Sequence, residues 1–168
     1  NQIGPGNWIT GNLGSGVVLL GQDTVMNRIT QNSITENIGP GVEIDKRVGI
    51  WVPPPSLVGV TSQRVYGESQ PGMTIELYLD PKDEGERYMG QVTAGEDGTF
   101  NWLMPIEVEI NKNITGLAIS PEGSTSTFSA PIPPPELILQ KLPGIITPEQ
   151  ISKEPEVIGL NLVFSLSS

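Results

Sequence analysis

Asn7-Trp8-Ile9-Thr10-Gly11-Asn12-Leu13-Gly14-Ser15-Gly16-Val17-Val18-Leu19-Leu20 returns twenty-five residues on as Asn32-Ser33-Ile34-Thr35-Glu36-Asn37-Ile38-Gly39-Pro40-Gly41-Val42-Glu43-Ile44-Asp45. The two stretches align without a gap. Seven of the fourteen pairs are identical: Asn7/Asn32, Ile9/Ile34, Thr10/Thr35, Asn12/Asn37, Gly14/Gly39, Gly16/Gly41 and Val17/Val42. Leu19/Ile44 is conservative. A period of roughly 20–50 residues marks a stacked-repeat architecture, in which one unit cannot bury its own apolar side.

Each copy alternates short apolar steps with Asn and Gly. Strands of two to four residues, separated by residues that tolerate turn and left-handed conformations, suit a parallel β-solenoid. Ile9, Val17 and Leu19 are then expected to point inward, stacked on Ile34, Val42 and Ile44. Asn7 over Asn32 and Asn12 over Asn37 are placed to form side-chain amide ladders. Asn1-Gln2-Ile3-Gly4-Pro5-Gly6-Asn7, Gly14-x-Gly16-Val17-x-Leu19 and Asn27-Arg28-Ile29-x-x-Asn32-x-Ile34 resemble coils of the right-handed parallel β-helix repeat family. The resemblance covers residues 1–45 and implies a fold more than a function, since that family holds polysaccharide lyases, hydrolases, adhesins and structural proteins. Two copies fall short of the three or so that repeat arrays usually need. An uncapped coil end exposes an apolar cross-section and unpaired strand edges. The expectation is that either a longer precursor has been trimmed or another subunit supplies the missing surface.

The remainder reads as β structure on a tether. Gly (20) and Pro (16) are abundant, and helical periodicity is nearly absent. Lys46-Arg47-Val48-Gly49-Ile50-Trp51-Val52 closes the coils over residues 1–52, and Pro53–Pro55 reads as a semi-rigid linker. Trp51 is expected to cap the last coil or pack between domains, with sugar stacking as its other use. Over residues 56–132, about seven short strands with frequent turn signals suggest a β-sandwich. Ile75, Leu77 and Leu79 share one face of a strand, and Glu96-Asp97-Gly98 reads as a hairpin turn. Pro71-Gly72-x-x-Ile75-Glu76-Leu77-Tyr78, Gly90-Gln91-Val92-Thr93-Ala94-x-x-Asp97-Gly98-Thr99-Phe100 and the Ile119–Ser129 ending resemble bacterial immunoglobulin-like modules. That family brings no catalytic residues with it. Residues 133–155 form a Pro-rich tether, and 156–168 a terminal strand with Leu160, Leu162, Phe164 and Leu166 on one face. This strand is expected either in its own sandwich or in a neighbour's sheet.

Composition narrows the chemistry. The formal net charge of −10 disfavours nucleic acid and anionic membrane surfaces. Without Cys there are no disulfides, thiolate zinc sites or Cys nucleophiles, and without His the commonest general base and metal ligand is gone. No apolar run approaches the roughly 18 residues of a membrane-spanning helix, so membrane insertion is not expected, and an exported protein would be present in its mature form. Asp80, Asp83 and Glu86 make a candidate Ca²⁺ loop, but they lack EF-hand spacing and read better as a solvated turn. Asp23, Arg28, Asp45 and Lys46 are the only candidates for a lyase or glycosidase cleft, and two coils offer little groove for a carboxylate pair. Asn113-Ile114-Thr115 matches a glycosylation sequon.

The expectation is thus an all-β, extracellular structural protein without catalytic residues, metal or cofactor. It joins a short parallel β-solenoid to an immunoglobulin-like β-sandwich, with a tether and a C-terminal strand. Its partners are copies of itself, joined head-to-tail by strand donation and coil stacking, with cell-surface polysaccharide as a further partner. The alternatives are a carbohydrate-binding or adhesive module using Trp8, Trp51 or Trp102, and a fragment of a polysaccharide-degrading β-helix enzyme.

Overall fold

Each copy of the repeat folds into one coil of three very short strands. Coil 1 holds β1 (Gln2–Ile3), β2 (Trp8–Thr10) and β3 (Val17–Leu19), and coil 2 holds β4 (Arg28–Ile29), β5 (Ser33–Thr35) and β6 (Val42–Ile44). The coils stack in parallel. Gln2 faces Arg28, Ile9 faces Ile34, Val17 faces Val42 and Leu19 faces Ile44. Strands this short need sharp corners, and a left-handed residue before each ladder Asn supplies them. Coil 1 uses glycine there (Gly6, φ 85°; Gly11, φ 71°), whereas coil 2 holds Gln31 (φ 49°) and Glu36 (φ 59°) in the same region. The computed structural model describes residues 1–105 and 111–135, and residues 1–135 belong to one compact unit.

After the coils come seven antiparallel strands: β7 (Ser56–Val60), β8 (Arg64–Glu68), β9 (Thr74–Asp80), β10 (Arg87–Thr93), β11 (Thr99–Leu103), β12 (Asn113–Ile119) and β13 (Thr125–Phe128). They form a three-stranded sheet, β11-β8-β7, and a four-stranded sheet, β10-β9-β12-β13. Regular structure among the described residues is all strand, and the protein is all-β. The two sheets share a core that includes Val65, Ile75, Leu77, Leu79, Phe100, Trp102, Ile114 and Ala118.

A second core lies on the opposite face of the four-stranded sheet. There Tyr78, Leu117 and Ile119 pack with Val17, Ile29, Ile34 and Val42 of the coils, and Ile3, Ile9, Leu19, Ile44, Tyr88 and Phe128 surround them. The central strands β9 and β12 are therefore buried on both faces.

Several expectations change accordingly. Val52 is buried in the core between the sheets and Pro55 is buried as well, so the proline triplet is wedged into the body instead of holding two bodies apart. Trp51 is 65 % exposed and caps nothing. The turn at Glu96-Asp97-Gly98 exists, with Gly98 at φ 79° and Asp97 accepting from the Thr99 amide. It is no hairpin, however, because β10 and β11 lie in different sheets. Most of the tether and the whole assembly strand (Leu160, Leu162, Phe164, Leu166) lie outside the described residues.

Candidate functional site

The solenoid has two ends, and they differ. The coil 2 end lies on the four-stranded sheet, whose polar groups meet its free amides one by one. The Met26 amide donates to Ser124 Oγ (3.2 Å), and the Ile29 amide to Thr125 Oγ1 (2.9 Å). The Gln31 amide reaches both Glu76 Oε2 and the Tyr78 hydroxyl at 3.0 Å. The Ile34 amide donates to the Gly85 carbonyl at 3.0 Å, and the Asn37 amide to both Glu84 carboxylate oxygens at 3.1 and 3.2 Å. Covering an edge in this way removes a template for further pairing.

Glu76 anchors the centre of this seal. Its carboxylate is fully buried and accepts from the Thr30 hydroxyl, the Gln31 amide and the Tyr78 hydroxyl (2.6 Å). Tyr78 packs edge-on against Tyr88 and Phe128, with ring centroids 5.6 and 5.4 Å away.

The acidic loop after β9 is part of the seal at Asp80, Glu84 and Gly85, whereas Pro81, Lys82 and Asp83 are exposed. Asp80 is buried, and its carboxylate is consumed by the amides of Lys82, Gly85 and Glu86 (2.5, 3.0 and 2.8 Å). The loop lies so close to coil 2 that a Cβ on Gly41 would sit 2.5 Å from the Glu84 carbonyl oxygen. Glu86 turns outward to pair with Lys112. Among the described residues no group of three or more acidic, His or Cys side chains is placed to hold a metal ion.

Burial pushes the Glu84 carboxyl above its usual range; the Asn37 amide opposes this, and Asp80 and Asp83 add to it. A raised folded-state value means that the ionised form costs stability. That cost is full above the folded value and vanishes as pH falls below the unfolded one, about 4.3. Glu84→Gln keeps an acceptor for Asn37 and removes the charge. We expect its melting temperature to exceed wild type by roughly 2–4 °C at pH 7, with the difference gone by about pH 4. An equal or larger gain at pH 4 would contradict this origin.

The coil 1 end is open. β1, β2 and β3 each have one strand neighbour among the described residues, on the coil 2 side. Ile3 and Ile9 are only half-buried, whereas Ile29 and Ile34 beneath them are 1–2 % exposed; Leu19 and Ile44 beneath it are both half-buried. The asparagine ladders are present. Asn32 Oδ1 accepts from the Asn7 amide (3.3 Å) and side chain (3.1 Å), and Asn37 Oδ1 from those of Asn12 (3.1 and 2.8 Å). Of the six residues expected inside the stack, Val17, Ile34 and Val42 are buried and Ile9, Leu19 and Ile44 half-buried.

Beside the coils, Trp8 stands 77 % exposed over two adjoining hollows of about 480 and 430 Å³. Both are lined by Trp8, Ser33, Glu86 and Arg87. Trp102, the third tryptophan considered for a surface platform, is buried between the sheets, and Gly90 lies against its ring. Of the cleft candidates, Asp45 is held by Arg47 through two side-chain contacts of 2.9 and 2.8 Å, which lower its carboxyl to about 2. That is a turn lock, and Arg28 sits on the inner strand β4 opposite Gln2. No protein-family model matches the chain, and no curated protein matches it.

Proposed function

We propose that this chain is an extracellular structural protein: the sealed end of a right-handed β-helix, closed by an immunoglobulin-like module, in a cell-surface filament or related assembly. The observation that carries this is the asymmetry of the solenoid. One end has its amides satisfied by a dedicated sheet, while the other keeps open strand edges and half-exposed Ile3, Ile9 and Leu19. The strand order β11-β8-β7 against β10-β9-β12-β13 supports an immunoglobulin-like sandwich. The parallel β-helix assignment is supported by the 25-residue parallel register, and its right hand by the resemblance of the coils to that repeat family. Growth uses two contacts: stacking on coil 1, and donation of the strand bearing Leu160, Leu162, Phe164 and Leu166 to a sheet edge of the next copy.

A second reading, adhesion to surface polysaccharide, is favoured by exposed Trp8 above the hollows lined by Ser33 and Arg87. One experiment separates the two. In sedimentation velocity over a concentration series, the structural reading expects mass growth that Phe164→Lys suppresses. A chain that stays monomeric throughout, yet shifts its tryptophan fluorescence with soluble polysaccharide unless Trp8 is Ala, would replace it with the adhesive reading.

A further inference from the structure

We infer that the open end of coil 1 is a specific acceptor for one more parallel solenoid coil of the same 25-residue pattern, selected by Asn7 and Asn12. The inference rests on reading coil 1 as the growing end. Its ground is the rule by which coil 2 holds coil 1. From each corner of coil 2, an Asn side chain reaches up the stack. Its Oδ1 accepts the main-chain and side-chain N–H of the Asn above, and its Nδ2 donates to a coil 1 carbonyl: Asn32 to Ile3 (2.9 Å) and Asn37 to Ile9 (3.3 Å). Asn7 and Asn12 occupy the same corners one level higher, each after a left-handed glycine. Each donates downward through Nδ2, and neither Oδ1 accepts a hydrogen bond among the described residues. Each side chain therefore presents one acceptor and one remaining N–H to the level above.

The complement is specific. It must bring a backbone N–H and an Asn amide to each of two corners, carbonyls nearby, and apolar side chains over Ile9, Val17 and Leu19. A coil written Asn-x-Ile-Thr-x-Asn followed by Gly-x-Gly-Val-x-Leu has all of these. A bare strand reaches only one of the three coil faces, and water offers no apolar surface.

A second copy of this module does not supply such a coil. Its matching lower edge is sealed under its own sheet through Glu76, Glu84 and Thr125. Two copies meet only coil 1 to coil 1, which runs their strands antiparallel and takes the Asn corners off their rungs. The occupant is thus a solenoid coil of this pattern whose own lower edge is free.

The test places a tandem copy of residues 1–25 ahead of Asn1 in the full chain and follows amide hydrogen exchange. Exchange at β2 and β3 amides is expected to slow on the order of tenfold, with similar protection in the added coil. Amides of β9 and β12 keep their parental rates and serve as the internal control. Changing Asn7 and Asn12 themselves to Ala in the extended chain should leave the corner amides of the added coil without their acceptors and return them to fast exchange. An added segment that exchanges like an unstructured peptide overturns the inference, as does full protection in the Ala version. Mass doubling through coil 1 to coil 1 pairing of the unextended chain, abolished by Ile9→Lys, also counts against it while leaving the structural reading standing.

Discussion

Glu76→Leu should cost about 2–5 kcal/mol, a large share of the roughly 5–15 kcal/mol that holds a domain of this size together. The carboxylate is fully buried and serves three donors: the Thr30 hydroxyl, the Gln31 amide and the Tyr78 hydroxyl. Leucine fills similar space and accepts nothing. The Gln31 amide keeps the Tyr78 oxygen at 3.0 Å, so two donors are orphaned, each at about 1–3 kcal/mol. Relief of the buried charge offsets part of this. Glu76→Gln retains one acceptor, and the two hydroxyls can turn to accept its N–H, so its loss should be smaller. Urea titration reads both variants, with the midpoint moving at constant slope. Because two of the three lost bonds, those from Thr30 and Gln31, join the coils to the sheet, amides of β4 and β5 should lose protection before those of β8 and β11. A leucine variant as stable as wild type would mean that the seal is apolar packing alone.

The strand that carries Glu76 shows where sequence was informative and where it was not. Ile75, Leu77 and Leu79 alternate with Glu76, Tyr78 and Asp80, and the alternation correctly separates the two faces. A period of two says which face is apolar. It does not say what covers the other, where Glu76, Tyr78 and Asp80 lie under the coils and their loop. The same gap hid the role of Glu84, whose neighbours Asp83 and Gly85 make the stretch look like an ordinary charged turn. One signal was available. Ser124-Thr125-Ser126-Thr127 puts four hydroxyls in a row at the start of β13, and Ser124 and Thr125 accept from amides of coil 2.

The coils themselves were legible only because they repeat. Strands of two or three residues are too short for any periodicity, but register follows directly from identity at equal spacing, and Val17 does stand over Val42. The first strand pair departs by one residue: Gln2 faces Arg28, an offset of 28 − 2 = 26. The extra residue lies in coil 1 between β1 and β2, where Gly4-Pro5-Gly6-Asn7 spans what Thr30-Gln31-Asn32 spans in coil 2. Reading Pro53–Pro55 as a semi-rigid linker did not foresee the burial beside and within it, for a physical reason. Proline favours extended chain, yet an extended chain can lie flat in a core, as Val52 and Pro55 do.

Val42→Asp should be the more damaging substitution. Val42 is 1 % exposed on β6, stacked under Val17 and packed in the cluster that holds Tyr78, Leu117 and Ile119. Removing its two methyl groups alone, as in Val42→Ala, should cost about 2 kcal/mol from lost transfer energy and the space left behind. Aspartate adds an unpaired carboxylate at the joint between coils and sheet, for several kcal/mol more, enough to unfold the coils outright. The variant has its own pH signature. Burial raises the folded-state value of the new carboxyl, so the extra destabilisation is full at neutral pH and shrinks as pH falls through that raised value. The gap between Asp and Ala variants should therefore narrow from pH 7 toward pH 4 in parallel thermal melts. Wild-type melting of Val42→Asp at pH 7 would remove Val42 from the interior and, with it, the stacked-coil assignment.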